Sequence, residues 1–148
     1  MRFAAGLASA VLVAGCGILP TPDGAPDWVA NRKPLDACGT ELLDQGEPHD
    51  ETVRRCLLEA HEAGLGAEMI STRPTIEGDL ITTFTRVHEN GVVELFIDAT
   101  RDRFGSGVWE RVVCDALVPV EEVNDPPDIV LPADMVFTEA GCEEQPIP

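Results

Sequence analysis

Asn90-Gly91 stands between two runs that alternate apolar and polar residues, Leu80 to His88 and Val92 to Thr100. Asn-Gly between alternating runs is the strongest short-range signal of a β-hairpin, so a hairpin is expected here. The turn Glu77-Gly78-Asp79 separates the first run from Ala67 to Thr72, and another strand-like run covers Val108 to Leu117. Along the second run Val93, Leu95, Ile97 and Ala99 share one face, while Glu94 and Asp98 lie on the other with Val92 and Phe96.

Ahead of these runs the spacing changes to that of a helix. Val53, Cys56, Leu57 and Ala60 fall on one stripe between about Asp50 and Ala63. Asp50 suits the N-cap, and Gly64 suits a left-handed C-terminal stop. Glu51 with Arg55, and Arg55 with Glu59, are four apart on the solvent face, where such pairs contribute a few tenths of a kcal/mol each, at about 0.2–0.5. The expected fold is α+β: one helix packed on a roughly four-stranded antiparallel β-meander. It is closed by an acidic, Pro-rich C-terminal arm beyond Arg111, with a short strand near Met135 to Thr138.

The first residues carry an address. Arg2 is followed by an uncharged run from Phe3 to Gly15 rich in Ala, Val and Leu. The run is about thirteen residues, against about twenty for a spanning helix, and its build is that of a secretory signal. It ends in Val13-Ala14-Gly15-Cys16, which resembles the lipobox of bacterial lipoprotein precursors. The resemblance implies a diacylglyceryl group on the Cys16 sulfur, cleavage before Cys16 by a dedicated signal peptidase and, in some members, acylation of the new amine. It also implies a protein held to the cell membrane by lipid and facing the extracytoplasmic side. One acyl chain binds reversibly, whereas two or three anchor firmly.

The domains expected are a signal peptide at 1–15, the lipidated Cys16 with a spacer at 16–34, and one exported domain at 35–148. Pro20, Pro22, Pro26 and Pro34 give the spacer its extended character. Trp28 and Val29 interrupt it and are expected to dock on the domain. Removing residues 1–15 of 148 leaves 133, enough for one core. It also takes the net charge from -17 to -18, because Arg2 leaves and no acid does. Such a surface is repelled by nucleic acid and by anionic lipid head groups, and it attracts cations or a basic partner.

With Cys16 assigned to lipid, Cys38, Cys56, Cys114 and Cys142 remain. Four cysteines in a small exported domain point to two disulfides, with three pairings open. The sequential one, Cys38 to Cys56 and Cys114 to Cys142, ties each loose segment to a regular element. The wide spacing lacks the close CxxC pairs of zinc sites, and neither metal nor cofactor is expected.

His49, His61 and His88 are the obvious bases, and none lies in an HExxH, GxSxG or GxxxxGK[ST] setting. Ser71 and Ser106 have no nucleophile context. Asp98 to Gly107 is similar in composition to a calcium loop, but Arg101 and Arg103 occupy ligand places, so it reads as a polar strand connection. The function expected is therefore a non-catalytic binding or interaction domain for an envelope protein, a solute or a cation. A small envelope hydrolase with a site that leaves no motif is the alternative.

Overall fold

A computed structural model describes residues 19–120 and 136–148. The signal peptide, Cys16 and most of the acidic arm lie outside the described residues. In chain order the elements are α1 (Asp27–Ala30), β1 (Asp36–Leu42), α2 (Glu51–Glu62), β2 (Ala67–Pro74), β3 (Leu80–Val87), β4 (Val93–Asp98), β5 (Trp109–Cys114), β6 (Ala116–Pro119), β7 (Phe137–Ala140) and β8 (Glu143–Gln145).

The helix on a four-stranded antiparallel meander is thus corrected. The described residues are mostly β, with a six-stranded sheet in the order β1-β2-β3-β4-β5-β8, a two-stranded sheet β6-β7, and two short helices among them. The main sheet is mixed, because β1 and β2 run parallel while every other neighbouring pair is antiparallel. The parallel pair follows from α2, which carries the chain back across the sheet so that β2 starts from the same end as β1. β1 carries no clean alternation, and its pairing shifts register between Ala37 and Gly39. Gly39 has a φ of 128°, a conformation L side chains rarely adopt. β8 is a three-residue strand of two acids and a glutamine, held on β5 next to a disulfide.

α2 forms where its spacing placed it. The Asp50 carboxylate accepts from the Thr52 and Val53 amides at 3.0 and 3.2 Å. At the other end Gly64 has a φ of 64°, and the Leu65 amide reaches the Ala60 carbonyl at 2.9 Å. That is a Schellman stop, which satisfies carbonyls a helix end would otherwise leave open. The helix buries Val53, Leu57 and Leu58 against Met69, Val87, Val93 and Leu95, and the β6-β7 ribbon extends this layer with Leu117 and Phe137.

The opposite sheet face is covered as well. Val29, with no exposed surface, packs on Ile70, Phe84, Phe96 and Trp109, and Leu19, Ala25 and Trp28 join them. Trp28 meets Phe96 edge-on, with ring centroids 5.0 Å apart. Residues 19–34 therefore form a third layer, and the sheet is buried on both sides.

The disulfides join Cys38 to Cys56 and Cys114 to Cys142. The first fastens β1 to α2, and the second holds the end of β5 to the chain entering β8. Loops of 18 and 28 residues correspond to roughly 3 kcal/mol each by the chain-entropy argument. Among the described residues no helix is long and apolar enough to cross a membrane.

If both layers belong to one cooperative unit, Leu57→Ala under α2 lowers unfolding free energy by about 2–5 kcal/mol. Val29→Ala under the N-terminal layer lowers it by about 1.5 kcal/mol, the loss of two methyl-sized groups. Urea denaturation measures both. An unchanged midpoint for Val29→Ala would mean that residues 19–34 unfold independently of the sheet.

Candidate functional site

On the face beneath residues 19–34, β2 to β5 place charges of alternating sign side by side. Register puts Glu68 opposite Arg86, and Arg86 opposite Glu94. The Arg86 Nε donates to Glu68 Oε2 at 2.7 Å and its Nη1 to Glu94 Oε2 at 3.0 Å. The other Glu94 oxygen accepts from Arg111 Nε and Nη2 at 2.9 and 2.8 Å. Arg32, from the covering layer, grips both oxygens of Glu68 at 2.8 Å through Nε and Nη2. Arg86 also donates to the Lys33 carbonyl.

The aromatic residues are part of the same arrangement. Arg32 lies 4.8 Å from the Phe84 ring centroid and Arg86 5.2 Å from that of Phe96. Cation–π attraction thus adds to the ion pairs where water is excluded.

The ladder ends in an open hollow of about 470 Å³, lined by Lys33, Leu35, His88, Glu94, Arg111 and Val113 among others. There the His88 Nε2 lies 3.3 Å from Glu94 Oε2. Arg32, Lys33, Arg86 and Arg111 are four of the ten basic residues of a chain whose net charge is -17. In the hollow the two basic side chains, Lys33 and Arg111, stand with two acidic ones, Glu89 and Glu94.

A second polar cluster lies on the α2 side. Glu41 of β1 is buried and receives Arg54 of α2, with Nη2 at 2.6 Å and Nε at 3.1 Å from Oε1, while the Asp50 amide donates to Oε2 at 3.0 Å. His49 Nδ1 is 3.6 Å from the same carboxylate, and Ser71 donates its hydroxyl to it. A cavity of about 200 Å³ opens beside them, lined by His49, Arg54, Ser71, Thr83, Thr85 and Phe137 among others. Burial pushes the Glu41 carboxyl up, but the hydrogen bonds from Arg54, Ser71 and Asp50, with the Arg54 charge, outweigh burial and hold it below its ordinary value. A carboxylate so stabilised is a weak base, ill-suited to draw a proton from Ser71.

The remaining candidates are scattered. His61 meets the Gly91 carbonyl at 3.2 Å, joining α2 to the hairpin. In the Asp98 to Gly107 segment, Asp98 accepts from the Thr100 amide and Asp102 from the Phe104 and Gly105 amides. Arg103 Nε donates to Asp79 at 3.0 Å and holds that carboxyl below its usual value. The segment is a polar connection built from local turns and one cross-link. Among the described residues no group of three or more His, Cys, Asp or Glu is placed to hold a metal ion.

Sequence reasoning passed over Glu41, Arg54, Glu68, Arg86 and Arg111. A signal for Arg86 and Arg111 was present, and it extends to Glu94. Phe84 and Arg86, Phe96 and Glu94, and Trp109 and Arg111 each place an aromatic two residues from a charge, on the same face of three successive strands. No protein-family model, no curated protein and no solved structure matches the chain.

The Glu41 shift makes a prediction about acid. Because its folded value is lowered, its contribution to stability is complete above the ordinary 4.5 and is lost as pH falls below that toward the folded value. Glu41→Gln should be less stable at pH 7, and its stability should fall less steeply than the parent's below about pH 4.5. Chemical denaturation at pH 3 to 7 reads this out, and parallel curves would remove Glu41 from the account of acid sensitivity.

Proposed function

We propose that this chain is a bacterial lipoprotein, cut before Cys16 and anchored by lipid on the extracytoplasmic side of a membrane. Its domain serves as a non-catalytic binding module. The lipobox motif supports the anchor. The binding reading rests on one observation above all: Glu94 accepts from Arg86, from Arg111 and, at longer range, from His88. Three of the ionisable groups lining the open hollow, His88, Glu94 and Arg111, are thereby tied to one another. Charges held in fixed positions around a hollow suit recognition of a partner.

The partner proposed is an envelope protein or a solute. Lys33 and Arg111 offset Glu89 and Glu94 in the lining, so the hollow offers a free cation no excess of negative charge. A small hydrolase remains the rival, and it would have to run through Ser71 and His49 beside Glu41.

The test compares native lipoprotein recovered from cross-linked envelopes with its variants. Cys16→Ala should lose the lipid mass and partition out of detergent. Lys33→Glu, on an exposed side chain at the hollow, should lower recovery of the cross-linked partner about tenfold, as expected for a contact of about 1.4 kcal/mol. His49→Gln and Ser71→Ala should leave it unchanged. If either of those two abolishes the cellular phenotype while folding and partner recovery stay intact, the protein is an enzyme and the binding reading fails.

A further inference from the structure

We infer that the domain is seated directly against the lipid head groups, with the layer formed by residues 19–34 as the point of attachment. This inference rests on the lipoprotein reading above.

The constraint is covalent. From Cys16 to Leu19 the chain advances three residues, and even fully extended these reach at most roughly 11 Å at about 3.3–3.6 Å per residue. That limit holds whatever path residues 17 and 18 take. A domain of about 100 residues has a radius of gyration of about 13 Å, so the reach is shorter than the domain is wide. A stand-off of more than about 11 Å is excluded as long as Leu19 stays docked.

Four contacts dock it. The Leu19 carbonyl accepts from Arg32 Nη2 at 3.2 Å, and Thr21 Oγ1 accepts from Arg32 Nη1 at 2.6 Å. The same guanidinium is fixed to Glu68 of the sheet. Val29 lies fully buried between these two ends of the segment, on Phe84 and Phe96. Arg32 thus clasps the first docked residue to the ladder, and the composition expected of a spacer is spent on covering an aromatic face.

The seating has an orientation. The tether enters on the layer opposite α2, the layer that also carries Lys33 and the hollow. A partner reading the hollow approaches along the membrane surface, while α2 and the Glu41 cavity lie on the other side of the sheet. The acidic surface does not defeat this. Repulsion from anionic head groups can tilt the domain about its tether, but cannot lengthen three residues.

Neutron reflectometry on the full-length lipidated protein in a supported phosphatidylcholine bilayer tests it. The expected profile has protein density beginning at the head groups, with any intervening water layer no thicker than about 11 Å. Ten Gly/Ser residues inserted between Ile18 and Leu19 leave the docked layer intact and should open a gap on the order of 15 Å, near the end-to-end distance of such a linker. A native protein that stands off as far as the insertion variant, with lipid mass confirmed on Cys16, overturns the seating and leaves the lipoprotein reading in place. Absence of lipid on Cys16 overturns both.

Discussion

Arg86 carries a full charge into a layer that water hardly reaches, at 3% exposure, and much of the molecule is arranged around satisfying it. Its partners come from β2 and β4, and from the Lys33 carbonyl of the covering segment. A guanidinium is suited to this because its planar fork carries five donors and stays protonated at any ordinary pH. Removing one partner of a buried pair leaves an uncompensated charge and costs about 3–5 kcal/mol. The ladder therefore holds strand register and the N-terminal layer together. A slip of one residue in β3 would turn Arg86 toward α2, among Met69, Val87 and Leu95, where it would find no carboxylate among the residues of that apolar cluster.

The two faces of the sheet follow different rules in consequence. Under α2 the layer is mainly apolar, with the Glu41–Arg54 cluster at its margin, and it closes with the Cys38–Cys56 bond. Under residues 19–34 it is mixed: aromatic rings alternate with charges that stack on them, and the covering segment is joined by Arg32 as much as by Val29. The first face supplies most of the hydrophobic stabilisation. The second supplies fixed charges, and the part of it left open is the hollow at Lys33, His88 and Arg111.

Much of the local structure was legible in the sequence. α2, the hairpin and its two strands arise from short-range periodicity and turn chemistry and appear where expected, with a three-residue loop from Glu89 to Gly91 in which the Gly91 amide closes on the His88 carbonyl. The pairing of the cysteines also matches the structure. What was not legible depends on long-range partners. β1 has Gly39 and Cys38 where a strand pattern would want branched residues, and it becomes a strand only because β2 offers an edge and α2 returns the chain to it. The prolines of residues 19–34 signal extended backbone correctly, but extension is equally compatible with a spacer and with a strap laid on a sheet. Glu68, Arg86 and Glu94 occupy alternate positions that pattern reasoning assigns to solvent. Their burial is visible only once the strap is in place, although Phe84 and Phe96 on the same face signal that this face too needed cover.

A double-mutant cycle on Arg86 and Glu94 tests the ladder most directly. Unfolding free energies are measured for Arg86→Met, Glu94→Leu and the pair together. The account predicts about 3–5 kcal/mol lost in each single variant, with the double variant losing clearly less than their sum, because the two apolar side chains no longer leave a buried charge unpaired. If Arg86→Met costs less than about 1 kcal/mol, the value of an exposed ion pair, the ladder is not what holds the strap and the strands in place.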